Sequence, residues 1–168
     1  SAASDVYKRQ TYVGAIAGIN KPGANITNCL SDAVVTATNQ TGGIAGKNEG
    51  LISECVSRSR VNTDELASSL DVGGVDVGTF NITQHVVDRN DMGGIAGNSS
   101  GVISSCTNYG TIGYNHTGYN VGGIAGSQNG KILNCTNEGD IYGRKDVGGI
   151  VGQAEPYIES EYLQDRTY

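Results

Sequence analysis

The sequence of 168 residues has little of what usually fills a protein core, since it contains no Trp, one Phe, one Met and two Pro. The scarcity of proline and the lack of a glycine at every third position exclude a collagen-like triple helix. No run of 18 apolar residues occurs, so no segment is predicted to span a membrane as a helix. The 26 glycines therefore need another structural explanation.

Basic residues are also few. The 11 Lys and Arg are outnumbered by 17 Asp and Glu, which gives a net charge of -6 and a pI near 4.7. The basic residues are scattered along the chain and form no cluster. Such a surface repels nucleic acid and anionic lipid, so we expect neither as a partner.

One phrase, x-Gly-Gly-Ile-Ala-Gly, occurs five times with small variations. The isoleucines of the five copies are Ile16, Ile44, Ile95, Ile124 and Ile150. They are separated by 28, 51, 29 and 26 residues, so the period is 26 to 29 with one interval nearly twice as long. A fixed period of this length is typical of repeat architectures such as solenoids.

Two further apolar pieces follow each of the first four copies. In the first piece an isoleucine stands three residues before a cysteine. In the second piece another apolar residue stands six residues after that cysteine. No piece is long enough or periodic enough to be a helix. The cysteines are Cys29, Cys55, Cys106 and Cys135, and the later apolar residues are Val35, Val61, Ile112 and Ile141.

Three short strands in about 27 residues, separated by Gly, Asn and Ser, predict one coil of a parallel β-solenoid. We expect an all-β fold of about five coils, right-handed like most parallel crossovers. Equivalent side chains of successive coils then form inward ladders of the five isoleucines and the four cysteines. Residues an odd number apart point to opposite faces of a straight strand, so bends are predicted at Gly-Gly and inside Ile-x-x-Cys.

The limits of the repeat divide the chain into segments. Residues 11–153 form the predicted solenoid domain. The long interval at 63–90 is interpreted as an inserted loop, with a degenerate extra coil as the alternative. Residues 154–168 are predicted to be an exit segment or the start of a following region. Residues 1–10 are expected to be foreign, because their last six match the translation of a transposon end used as a sequencing-library adaptor.

The repeated Gly-Ile-Ala-Gly, followed by Gly-x-Ile-x-x-Cys and a third short strand, resembles the GLUG-motif repeats of bacterial surface proteins. The resemblance covers residues 11–152, and the insert lies outside it. It implies an extracellular or cell-wall-associated module without catalysis, which serves as a stalk, a spacer or an adhesive surface. Its expected partner is a host or cell-wall glycan or protein.

The four cysteines are predicted to be buried free thiols that fill a narrow corner of the core. Disulfides between stacked neighbours are the alternative. A metal site is disfavoured because no Cys-x-x-Cys occurs and His85 and His116 lie outside the repeated phrases. Asp71, Asp76 and Gly78 faintly resemble a calcium-binding repeat, but only one copy exists. We therefore expect no cofactor.

A carbohydrate-active β-helix enzyme or glycan-binding module is the alternative function. Catalysis of this kind needs carboxylates that converge from adjacent coils. Equivalent positions instead carry variable small polar residues, since Glu54 matches Ser105 and Asn134. We therefore predict no catalytic residues. The candidates for a ligand-facing stripe, which are otherwise scattered surface residues, are Tyr109, Tyr114, Tyr119 and Tyr142.

Overall fold

The computed structural model describes residues 10–64 and 89–156. Within these residues the chain consists of short β-strands, and every pair of strands in a sheet is parallel. No helix long and apolar enough to cross a membrane occurs in this part of the chain.

The strands follow one another in turns of the same order. The first turn contains β1 (Thr11–Gly14), β2 (Ala17–Asn20), β3 (Asn25–Thr27), β4 (Leu30–Ser31) and β5 (Val34–Val35). The second contains β6 (Asn39–Gly42), β7 (Ala45–Asn48), β8 (Leu51–Ser53), β9 (Val56–Ser57) and β10 (Arg60–Val61).

The later turns repeat this order. The third contains β11 (Asn90–Gly93), β12 (Ala96–Ser99), β13 (Val102–Ser104) and β14 (Thr107–Asn108). The fourth contains β15 (Tyr119–Gly122), β16 (Ala125–Gln128), β17 (Lys131–Leu133) and β18 (Thr136–Asn137). The chain then begins a fifth turn with β19 (Lys145–Gly148) and β20 (Val151–Ala154).

Each strand pairs with its counterparts in the neighbouring turns, which gives five parallel sheets. Sheet A is β1-β6-β11-β15-β19, and sheet B is β2-β7-β12-β16-β20. Sheet C is β3-β8-β13-β17, and sheet D is β4-β9-β14-β18. Sheet E is β5-β10, continued by bridges from Val61 to Ile112 and from Ile112 to Ile141. The predicted all-β parallel solenoid is confirmed, with about four turns.

Each turn has more strand positions than the three predicted, because both expected bends divide a predicted strand in two. The first bend separates sheet A from sheet B after the first glycine of the pair. The second separates sheet C from sheet D, at a residue with a left-handed backbone. These residues are Asn28, Glu54, Ser105 and Asn134, with φ between 53° and 57°.

The isoleucine ladder forms the centre of the larger core. Ile44, Ile95 and Ile124 are fully buried and pack with the sheet C isoleucines and with the cysteines. Burial of one such side chain contributes about 1.5–3 kcal/mol. The two ends differ from the prediction, since Ile16 and Ile150 are 43% and 40% exposed. Each lies in an outermost turn of the described stack, where one side of the ladder has no next turn.

A second, smaller core lies between sheets A and E. It consists of Met92 and Val121 from sheet A, packed against Val61 and Ile112, with Ile141 partly buried beside them. Val61, Ile112 and Ile141 belong to the third apolar piece of the sequence repeat. Sheet A therefore has a buried side chain in each inner turn even though at least half of each strand is glycine or polar.

The predicted insert at 63–90 falls mostly on residues 65–88, which lie outside the described residues, as do His85 and the calcium-like Asp71 and Asp76. On either side of it, strands of the second and third turns pair directly, with Asn39 opposite Asn90 and Ile52 opposite Ile103. The interpretation of the insert as a loop stays a prediction.

The described ends of the insert are joined by a charged pair. The guanidinium of Arg89, which is buried, donates two hydrogen bonds to the carboxylate of Asp64, the second over 3.2 Å. These hydrogen bonds lower the pKa of Asp64 below its ordinary value. Two hydrogen bonds between the same pair of side chains fix the position of Arg89 relative to Asp64.

Candidate binding groove

The residues that flank the repeated phrase on its two sides come together on the surface. The last glycine of each copy makes this possible because the backbone of sheet A lies close against it. A Cβ atom added to Gly97 would lie 2.6 Å from the carbonyl oxygen of Asp91, and one added to Gly126 would lie 2.6 Å from that of Asn120. A larger residue at either glycine would push the two sheets apart.

Two columns of side chains follow from this packing. The pre-motif column consists of the residues directly before each copy, all with left-handed φ of 52° to 60°: Tyr12, Gln40, Asp91, Asn120 and Asp146. The post-motif column consists of the residues directly after each copy, paired in register along sheet B: Ile19, Lys47, Asn98, Ser127 and Gln153. Both columns run along the stacking direction.

Between the columns lies a shallow cavity of about 360 Å³, which we call the polar groove. All of its lining residues have polar side chains. From the two columns it takes Lys47, Asp91, Asn98, Asn120, Ser127 and Gln153, and Glu155 follows at the end of sheet B.

Hydrogen bonds between turns order the lining side chains. Asn120 donates through Nδ2 to Oδ1 of Asp91 over 2.9 Å, and Asn98 donates through Nδ2 to Oγ of Ser127 over 2.8 Å. Each bond joins the third turn to the fourth. The groove is thus lined by amides whose orientation is fixed before any ligand arrives.

The groove carries more negative than positive charge. Burial raises the pKa of Asp91, the hydrogen bonds from Asn120 and Ser127 oppose this, and the carboxylate of Glu155 raises it further. The ammonium of Lys47 lies 5.8 Å from the centre of the Tyr12 ring, a cation–π distance. The arrangement presents donors and acceptors of hydrogen bonds along an open surface.

The four tyrosines predicted to face a ligand lie elsewhere, and none lines the polar groove. Tyr109 and Tyr142 are 46% and 39% exposed, and Tyr114 and Tyr119 are half-buried. Arg58 lies over the Tyr109 ring at 4.5 Å and Arg144 over the Tyr119 ring at 5.9 Å. These arginines occupy part of the ring faces that a ligand would use, and a ligand-facing role for the tyrosines stays a prediction.

The cysteines form a column of free thiols without disulfides. Cys55 and Cys106 are buried, whereas Cys29 and Cys135 are only partly buried, because they stand at the two ends of the column. The sulfur atoms of Cys55, Cys106 and Cys135 each lie within hydrogen-bonding distance of two carbonyl oxygens; for Cys106 these are Ser104 at 3.3 Å and Ile52 of the preceding turn at 3.7 Å. The column fills the corner between sheets C and D.

The thiols affect one another's ionisation. Burial raises the pKa of Cys55. Interaction with the neighbouring thiol of Cys106 lowers the pKa of Cys135 to about 7, and interaction with Cys135 together with burial raises that of Cys106. Among the described residues no three His, Cys, Asp or Glu side chains form a group that could hold a metal ion.

The groove residues were not predicted, because they lie outside what the five copies share. The signal in the sequence that marks these residues is variation beside the phrase. The position directly after the phrase differs in all five copies, from Ile19 to Gln153, and the position directly before it carries four different residue types, with Asp at both Asp91 and Asp146. Variation next to an unchanging phrase indicates a position that the fold leaves free.

Comparison with known proteins gives one match. The family model described as the GLUG motif matches residues 117–142, which run from just before β15 to the sheet E bridge at Ile141. No curated protein and no solved structure matches the chain significantly. The predicted resemblance is confirmed over one turn of the stack. Residues 117–142 are a GLUG motif, and the chain as a whole is consistent with a GLUG-motif repeat region.

Proposed function

We propose that this chain is a non-catalytic repeat module of a secreted or surface-anchored bacterial protein, in which it serves as a spacer and an adhesive surface. The observation that carries this proposal is the contrast between the interior and the surface of the stack. Ile44, Ile95 and Ile124 are the same residue in the same buried place, whereas the residues of the pre-motif and post-motif columns, most of which are at least partly exposed, differ between successive turns. A regular rod with a varied surface suits display at a distance.

Surface exposure is tested with antibodies raised against the 168-residue chain and applied to intact cells that carry its gene. We expect labelling of intact cells, removed by brief treatment with an external protease. A cytoplasmic protein of the same cells is the control and must stay protected. Labelling only after lysis would contradict the proposal.

A carbohydrate-active enzyme is a second candidate, and one observation favours it. The polar groove contains two carboxyl groups, Asp91 and Glu155, and burial raises the pKa of Asp91, as is common for a general acid. The test is release of new reducing ends from soluble glycans by the intact chain, compared with Asp91→Asn. Release that disappears in the variant would establish the enzyme, and an unchanged glycan would leave the adhesive role.

A further inference from the structure

The geometry points to the polar groove as a binding site for a linear, uncharged glycan that lies along the stacking direction across the second to fifth turns. This inference rests on the proposed adhesive role and gives that role its ligand. It follows from the direction of the groove, the chemistry of its lining and its charge.

The direction comes from the strand register. Lys47, Asn98, Ser127 and Gln153 stand opposite one another in successive strands of sheet B. Adjacent strands are about 4.8 Å apart, so the four positions span roughly 14 Å. A ligand that contacts all of them is an extended chain with polar groups at regular intervals.

The lining suits hydroxyl groups. Amide side chains such as Asn98 and Gln153 both donate and accept hydrogen bonds, and so do the hydroxyls of a sugar. Asn98 and Asn120 are already oriented by their bonds to Ser127 and Asp91. Within the described residues, Gln153 makes no side-chain hydrogen bond, and the Lys47 ammonium has the Tyr12 ring as its one interaction partner. These groups are available to a ligand at the surface.

The charge selects among glycans. Two carboxylates, Asp91 and Glu155, face one ammonium, that of Lys47, on a chain of net charge -6. A uronate-containing or sulfated glycan would be repelled, because its negative charges would lie next to the carboxylates of the groove. An uncharged chain avoids this cost.

A peptide fits the groove less well. Peptides usually gain affinity from apolar pockets or from an open strand edge, and the lining of this groove is polar throughout. The neighbouring strands β11 and β12 are paired on both sides within sheets A and B, so they present no edge.

The test uses the complete chain on immobilised cello-, xylo-, manno- and N-acetylchito-hexaoses, with heparin and polygalacturonate as charged comparators. We expect retention on at least one uncharged hexaose and none on the charged polymers. The variant Lys47→Met/Asn98→Ala removes two groove contacts and should lower affinity at least about tenfold. Its matched control, Lys21→Met/Asn115→Ala, changes the same residue types outside the groove and should bind like the wild type.

Three results would overturn the inference: no retention of any uncharged hexaose, equal affinity of the groove variant and the wild type, or equal loss in the control variant. Circular dichroism and thermal unfolding of each variant establish that a loss is not due to misfolding. Failure here is distinguishable from failure of the proposed function. If intact cells display the chain but no hexaose binds, the adhesive surface lies elsewhere on the module.

Discussion

Asn120 donates a hydrogen bond from Nδ2 to Oδ1 of Asp91 over 2.9 Å, and both residues have left-handed backbones, with φ of 56° and 55°. The bond joins two turns at the middle of the polar groove. It holds a carboxylate whose pKa burial raises, so the charged form of Asp91 is less stable in the folded chain than in water.

Replacement of Asp91 by Asn should therefore raise the melting temperature at pH 7. Asn tolerates the left-handed backbone and keeps an oxygen to accept from Asn120. A carboxyl group with a raised folded pKa stabilises below its ordinary pKa and loses this contribution as the pH rises through the folded value. The gain of Asp91→Asn over the wild type should thus be larger at pH 7 than at pH 3.

Asp146→Asn, at the exposed equivalent position, is the control. A lower melting temperature of Asp91→Asn at pH 7 would refute the assignment.

The ion pair at the base of the insert should show the opposite dependence on pH. Arg89 lowers the pKa of Asp64, so the pair stabilises above the ordinary carboxyl pKa and loses this effect as the pH falls through the folded value. We expect Asp64→Asn to reduce the free energy of unfolding at pH 7 by about 1 kcal/mol, a small value because the Asp64 side chain is 37% exposed. Wild type and variant should converge in acid, whereas exposed Asp32→Asn should match the wild type throughout. A difference that persists at pH 2 would contradict this.

The second glycine of the repeated pair should be essential for stability only in turns that pack against the next turn of the stack. A Cβ atom at Gly94 would overlap the carbonyl oxygen of Gly123 and the side chain of Asn108, whereas one at Gly149 meets nothing within 4 Å. Gly94→Ala is therefore expected to cost at least about 2 kcal/mol in chemical denaturation. Gly149→Ala occupies the same place in the last turn and should stay within about 0.5 kcal/mol of the wild type. Equal losses of stability for the two substitutions would show that close packing against the next turn is not the reason for the glycine.

Thiol reactivity should follow position in the column. In a short pulse of iodoacetamide followed by mass spectrometry, Cys29 and Cys135 should react while Cys55 and Cys106 stay protected. Alkylation of Cys135 should rise near pH 7, because Cys106 lowers its pKa to about 7.

The control for this experiment is Cys106→Ala, which removes the neighbouring thiol. Alkylation of Cys135 in this variant should shift to higher pH, towards the pKa of an ordinary thiol. Labelling of Cys55 as fast as Cys29 in the native chain would disprove the protected column.

The ladders could be predicted because they depend on periodicity alone. The spacing of Val35, Val61, Ile112 and Ile141 from the cysteines placed them in one column, and the structure pairs them as sheet E. The odd separation inside Ile-x-x-Cys predicted a bend, which the structure has at positions such as Asn28. Parity and period report directly on which side chains share a face.

The ends of the ladders and the groove could not be predicted in this way. Periodicity gives Ile16 and Ile44 the same role, but burial also depends on a neighbouring turn, which Ile16 has on one side only. The meeting of Asp91 with Asn98 and Ser127 depends on how closely sheets A and B approach, a distance set by Gly97 and its equivalents. Glu155 lies at the start of the predicted exit segment, and its backbone amide donates to the carbonyl oxygen of Gln128 over 2.8 Å, which places it beside the groove.

The two columns beside the repeated phrase have an evolutionary consequence. Ile44, Ile95 and Ile124 of the core lie within the phrase, whereas the groove residues Lys47 and Gln153 lie just outside it, so the proposed recognition is encoded at positions separate from this core ladder. A point substitution at such a position alters what the module presents to other molecules and leaves the interior unchanged. Duplication of one turn adds two more such positions. A lineage can thus change the groove surface and lengthen it by independent genetic steps.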